Sequence, residues 1–162
     1  MSIKDIEKKA RKEIRLKKLI SKNETLLFLK KQDPGSIAVF HMLKNMLKDP
    51  SLQFKTIEKI RNPLKNEKLV LGICLEEEAK DYMKEFTEDK KPKIEKNIIK
   101  PFIRIKLEEI KKYCDANKLK YELKKDEEYA LSNFLEEFQK KHPQTYHSII
   151  KTKEILESNI KI

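Results

Sequence analysis

Glycine is almost missing from this chain: Gly35 and Gly72 are the two present in 162 residues. A β-barrel or sandwich needs many tight turns and the glycines that make them, so both architectures are disfavoured. Cysteine is equally scarce. Cys74 and Cys114 lie far apart with no Cys-x-x-Cys or Cys/His cluster nearby, so they cannot alone build a structural zinc or iron–sulfur site. Cys114 falls on an apolar helical stripe and reads as a small buried hydrophobe. No apolar run is long enough to cross a bilayer and no secretory leader is recognisable, which points to a cytoplasmic protein without a membrane partner.

What the chain does contain is charge. Charged residues make up 40% of it against 38% apolar, and Lys and Arg outnumber Asp and Glu by 38 to 27. The length predicts one domain, residues 1–162, able to bury a core without disulfides or metals. A net charge of +11 and a pI near 9.4 favour a nucleic-acid partner, because lysines that neutralise phosphates release counterions. Residues 1–20 concentrate the excess: Lys4, Lys8, Lys9, Arg11, Lys12, Arg15, Lys17 and Lys18 face only Asp5, Glu7 and Glu13. A solvated, lysine-rich surface is the plainer alternative.

Hydrophobic periodicity predicts a basic amphipathic helix over 3–20, with Ile3, Ile6, Ala10 and Ile14 on one face. An apolar strand is predicted near 25–30. Asp33-Pro34-Gly35-Ser36 then suits a type II turn, with Ser36 capping a helix that runs to Leu47. Residues 51–66 carry no readable pattern. Lys68–Ile73 reads as a second buried strand, followed by a helix presenting Leu75, Ala79, Tyr82, Met83 and Phe86. A charged loop over 87–97 leads to a short extended piece at Ile98–Phe102. The next helix carries Ile103, Leu107, Ile110 and Cys114, and Leu119–Leu123 is predicted as a third strand. Helices over 127–141 and 144–159 close a C-terminal helical region, 124–162, with Ala130, Phe134, Leu135 and Phe138, then Ile149, Leu156 and Ile160, as their apolar faces. Strands alternating with helices imply parallel βαβ units, hence a helix-rich α/β fold with a small sheet of about three strands.

In that order the pieces resemble the PP-loop tRNA-modifying ATPases, specifically the group making 2-thiouridine or 2-thiocytidine in tRNA. Four blocks carry the likeness. Ile6–Ile14 with Leu19-Ile20 is similar to the basic helix before the family's ATP loop. Leu26–Leu43 is similar to its strand, S-G-G-x-D-S loop and helix; anchored on Ser36 and His41, the motif falls on Lys31, Gln32, Asp33, Pro34, Gly35 and Ser36, and only the serine matches. Gly72–Lys80 resembles G-H-N-L-D-D-E-A-Q, keeping glycine, leucine, glutamate and alanine, with Ile73 and Cys74 at the His-Asn positions. Ile99-Lys100-Pro101-Phe102 resembles the I-K-P-L segment, and Asn133–Glu137 with Lys141–Thr145 resembles the family's closing F-L-n-E-l-E-x-k-H-P-G-T.

The resemblance implies adenylation of a tRNA base oxygen by ATP, followed by sulfur attack. It also marks what this chain has lost. Lys31, Gln32 and Asp33 bring side chains where glycine N–H groups would cradle pyrophosphate. Gly35 replaces the family's aspartate, residues 49–66 replace a segment bearing a second ATP-site strand and a Cys-x-x-Cys pair, and no cysteine lies between Tyr121 and Phe134. The expectation is therefore a shortened, degenerate PP-loop protein, not an enzyme and without a cofactor. It would serve as the non-catalytic partner of an intact catalytic paralogue in wobble-uridine 2-thiolation, in a hetero-oligomer of archaeal style that binds tRNA. Lys8, Lys9, Arg11, Lys12 and Arg15, then Lys140, Lys141, Lys151 and Lys153, are its expected RNA contacts. Two alternatives stand beside it: an enzyme with an altered nucleotide loop using Lys30 and Lys31, and a free-standing basic nucleic-acid binder. Glu76, Glu77 and Glu78 read as the acidic first turn of a helix rather than a metal cluster, and His142 and His147 as surface or RNA-facing residues.

Overall fold

In the computed structural model, residues 2–90, 96–123 and 130–160 are described, up to the backbone of Ile160. The chain runs α1 (Ile3–Leu16), β1 (Thr25–Leu29), α2 (Pro34–Met46), β2 (Gln53–Ile57), β3 (Glu67–Val70), α3 (Leu75–Thr87), β4 (Ile98–Ile99), α4 (Leu107–Ala116), α5 (Ala130–Lys141) and α6 (Thr145–Ile160). It divides into two compact units, residues 1–74 with 96–124, and residues 75–95 with 125–162. Charge divides with them. The first unit has 27 Lys and Arg against 12 Asp and Glu, a net of +15; the second has 11 against 15, a net of −4.

The first unit is built on a parallel sheet in the order β2-β1-β3-β4. β1 sits centrally because Leu26, Leu27, Phe28 and Leu29 are apolar on both faces and all four are buried, the signature of a covered parallel strand. Leu26 and Phe28 join Val70 and Ile99 against Ile6, Ala10, Ala38, Val39, Met42, Ile110 and Cys114, which come from α1, α2 and α4. A capping box starts α1: the Ser2 hydroxyl accepts from the Asp5 N–H, and the Asp5 carboxylate accepts from the Ser2 N–H. The helix stops at Leu16, short of the predicted 20, because Lys18 turns left-handed at φ 50°.

Among the described residues the sheet has four strands where the sequence suggests about three. β1 and β3 fall where predicted, and Ile98–Ile99 pairs as β4. β2 emerges from the unreadable stretch; as an edge strand it buries little, so it has no apolar run to announce it. Leu119–Leu123 is not a strand. The Leu119 N–H closes the end of α4 on the Cys114 carbonyl, and the Glu122 N–H donates to the Gln32 carbonyl at 2.8 Å, a single bond to a loop rather than a ladder. The helix expected around Ile103 begins only at Leu107; Ile103 and Ile105 are buried in the turns before it.

The β2–β3 connection, residues 58–66, returns across the sheet without a helix. Arg61 braces it, with a two-pronged contact to Glu67 at 2.6 and 2.9 Å, while Glu67 also accepts from the Leu64 N–H.

The second unit is α3, α5 and α6. Glu78, almost fully buried, pairs with Lys153, whose ammonium also lies 5.8 Å from the Tyr82 ring centroid and 3.6 Å from Glu157. Lys80 pairs with Glu136 at 2.6 Å. The packed faces differ from the predicted ones. Leu135 and Ser132 of α5 and Tyr146 and Ile150 of α6 are buried, whereas Phe134, Phe138 and Leu156 are exposed and Ala130 faces solvent. Both helices have apolar residues on two sides, and periodicity alone does not say which side finds a neighbour. The predicted starts at 127–129, the loop at 91–95 and the Ile160 side chain lie outside the described residues.

Candidate functional site

The β1–α2 loop lies where an open parallel sheet makes its ligand crevice. β1 is followed by β2 on one side, and β3 lies on the other, so the loops after β1 and β3 diverge at a topological switch point. A phosphate there would use the free N–H groups at the N-terminus of α2. The structure uses them otherwise. Asp33, not Ser36, is the N-cap, and Pro34 and Gly35 are already helical, so the predicted type II turn is not formed. Pro34 is pre-set for the first helical position and has no N–H to offer. The Asp33 carboxylate accepts from the Ser36 N–H at 3.1 Å and the Ser36 hydroxyl at 2.8 Å, and the Asp33 carbonyl takes the Ile37 N–H. The helix terminus carries its own anion.

The two glycines meet across that crevice. A Cβ on Gly35 would sit 1.9 Å from the Gly72 carbonyl oxygen, and a Cβ on Gly72 would sit 2.0 Å from the Gly35 oxygen. Neither has positive φ; among the described residues the left-handed positions belong to Lys18, Asn23, Asp89, Asn97 and Lys118. This chain places asparagine, aspartate and lysine where glycine is usual and reserves glycine for one backbone-to-backbone contact. That contact holds the loop after β3 against the first turn of α2. It closes the backbone approach that an S-G-G loop leaves open to phosphate.

Beside the loop lies an open groove of about 460 Å³, walled by Phe28, Phe40 and His41 and edged by Lys30, Lys31 and Lys44. Phe28 meets Phe40 edge-on at 5.0 Å, and the Lys44 ammonium is 5.4 Å from the Phe40 ring. His41 is held by the Tyr113 hydroxyl, 2.8 Å from Nδ1, and by Asn45 at 3.3 Å from Nε2. Burial pushes the Tyr113 hydroxyl up to about 12, so it stays protonated. The groove can hold an apolar or aromatic group beside cations; among the described residues no carboxylate lines it.

The expected RNA contacts separate into two sets. Lys8, Arg11, Lys12 and Arg15 are exposed on α1 and make no ion pair among the described residues. Lys9 instead bonds Glu109 of α4 at 3.2 Å, fastening the helix to the unit. Lys140, Lys141 and Lys151 are exposed, but on the unit of net −4. Lys153 is committed to Glu78. Glu76, Glu77 and Glu78 form the first turn of α3 as expected, and among the described residues no His, Cys, Asp and Glu group could hold a metal. Cys74 and Cys114 are buried, and burial raises the Cys114 thiol to about 11; its S–H donates to the Pro34 carbonyl oxygen, with Sγ and oxygen 3.6 Å apart.

No family model matches this sequence, and no curated protein does. Among solved structures, the chain is similar to the U34-tRNA thiolase NcsA from Methanococcus maripaludis, determined with its [4Fe-4S] cluster. The TM-score is 0.75 at 15% identity, over 95% of this chain and 78% of that one. The likeness gives the fold, a helix-rich α/β domain with a small parallel sheet. The cluster does not fit the residues present. Such clusters are held by cysteine thiolates, usually four, and this chain has two cysteines, both buried.

Proposed function

We propose that this chain is a non-catalytic partner in 2-thiolation of the tRNA wobble uridine, supporting an intact PP-loop paralogue and contributing contacts to the RNA. The observation that carries the reading is the β1–α2 loop. A fold similar to that of a U34-tRNA thiolase has, at the place where PP-loop chemistry would cradle pyrophosphate, a helix terminus neutralised by its own Asp33 and closed by the Gly35–Gly72 contact. A phosphate entering there meets a carboxylate and a proline in place of N–H donors. Two buried thiols supply neither a cluster nor an accessible sulfur nucleophile. The net charge of +15 on the first unit favours an RNA partner. Exposed Ile60 and Leu64 on the β2–β3 crossover, together with the edge strand β2, give a protein partner a surface to cover.

The test is reconstitution. Mixed with the catalytic PP-loop protein of the same organism, the chain should co-elute with it and tighten its hold on tRNA. Titration calorimetry of the chain alone with ATP or AMP should give no binding heat. Absence of both co-elution and any effect on tRNA affinity would sink the reading.

The second reading, an enzyme with an altered nucleotide loop, draws on the groove beside Lys30, Lys31, Lys44 and Ser36. Binding heat with ATP that is lost on replacing Lys31 would establish it.

A further inference from the structure

The position of the cations on α1 says more than their number. The buried side of the helix is Ile6, Ala10 and Glu13, with Glu13 drawing in Lys17 and Arg104 and Lys9 reaching across to Glu109. That fixes which way the opposite face points. On it, Lys4, Lys8, Arg11 and Arg15 recur at i, i+4, i+7 and i+11, all exposed, with Lys12 alongside. At a rise of about 1.5 Å per residue, neighbours in this row are separated by roughly 4.5–6 Å along the axis, and the row spans about 16 Å. The three carboxylates of the helix are absent from it: Asp5 closes the capping box, Glu7 is half-buried and Glu13 is buried.

We infer that this row is a phosphate rail: α1 lies along the backbone of a structured RNA, its four cations following successive phosphates of one strand. The inference rests on the RNA side of the proposed function and sharpens it in three respects. It adds Lys4 to the expected contacts, removes Lys9, and assigns the RNA to the unit of net +15, with Lys140, Lys141 and Lys151 on the acidic unit contributing nothing. A rail of this kind reads spacing and charge, not base edges, so it is blind to sequence. The row is straight and rigid because the other face of α1 is fixed in the core. It therefore suits a stem, whose phosphates are evenly spaced, better than a flexible single strand. The shared chemistry with duplex DNA and with anionic lipid is charge alone.

Fluorescence anisotropy with a labelled RNA stem-loop, read from 50 to 200 mM salt, tests it on the full chain. Four phosphate contacts give a slope of log K against log salt of about −3 to −4, roughly a hundredfold loss over that range. The quadruple variant Lys4→Gln/Lys8→Gln/Arg11→Gln/Arg15→Gln changes only exposed positions. With its helical circular dichroism unchanged, it should bind about a hundredfold more weakly at low salt, with a slope near zero. Lys140→Gln/Lys141→Gln/Lys151→Gln should match the parent in both, and Arg11→Lys/Arg15→Lys should keep the slope. If the parent binds the stem-loop and the quadruple variant binds equally well, the rail is wrong although the RNA reading stands. If the parent binds no RNA, both fall. Equal affinity for a DNA duplex of the same length, or for anionic vesicles, would reassign the row to general polyanion attraction and overturn the commitment to RNA.

Discussion

Replacing Gly72 with alanine puts a methyl group 2.0 Å from the carbonyl oxygen of Gly35, 2.2 Å from its carbonyl carbon and 2.8 Å from the Ser36 nitrogen. All three are backbone atoms, so no rotamer change relieves the clash. Reaching ordinary contact at about 3.4 Å requires the loop after β3 and the first turn of α2 to separate by about 1.4 Å. Overpacking of this kind costs typically 1–3 kcal/mol. Moving α2 away also endangers the Asp33 cap, worth about 1 kcal/mol. We therefore expect Gly72→Ala to destabilise by about 3 kcal/mol. For a chain of this size that is a fall of roughly 6–12 °C in Tm. Gly35→Ala should cost somewhat less, because alanine gains up to about 1 kcal/mol over glycine in a helix. Both substitutions strain one contact. Once the backbones have parted, the second methyl enters space already opened, and the double variant should fall no further than the worse single one. Thermal melts followed by far-UV circular dichroism measure all three. A Gly72→Ala melt within about 2 °C of the parent, or strictly additive losses, would refute the reasoning that this glycine is there for close approach.

Other consequences are as direct. The Arg61 guanidinium, assisted by the Leu64 N–H, holds the Glu67 carboxyl at about 2 against an ordinary 4.5. That stabilisation is complete above the unfolded value and is lost as pH falls from about 4.5 toward 2, so the urea midpoint should drop across this window. In Arg61→Met that acid limb should flatten; an unchanged limb would count against the pair. Cys74 and Cys114 should both resist a thiol reagent at pH 8 in the folded protein and both react in denaturant; fast labelling of either in native buffer would contradict their burial. Lys118 sits at φ 55° just past α4, a conformation glycine adopts without Cβ strain, so Lys118→Gly should raise Tm by about 1–2 °C after glycine's own entropic cost. A fall in Tm would mean the lysine side chain makes a contribution that the geometry does not reveal.

Much of the fold was legible because the central elements are over-determined. Leu26–Leu29 cannot be half-exposed, and Ile6 and Ala10 repeat at helical spacing with basic residues between them. The elements that were missed are those whose existence depends on a neighbour. Gln53–Ile57 carries no readable pattern and becomes a strand only because β1 offers an open edge. Leu119–Leu123 has strand-like composition but meets the chain just beyond β1, where it makes a bond to the Gln32 carbonyl and β1 itself already lies between β2 and β3.

The same division runs through the candidate site. Sequence alone established that a glycine-rich phosphate loop is absent, that two cysteines cannot hold a cluster, and that the N-terminal helix is basic, because each of these is a matter of which residues are present. Tertiary structure decided what the remaining residues do. Asp33 rather than Ser36 caps α2, because the chain enters the helix one turn earlier than the turn chemistry suggested. Lys9 is tied to Glu109 and Lys4 is left exposed, because only the packed helix fixes which face is out. The two glycines, 37 positions apart, gained their meaning last. No local pattern relates them, and their scarcity becomes informative only when the sheet brings one carbonyl against the other backbone, where any Cβ would collide.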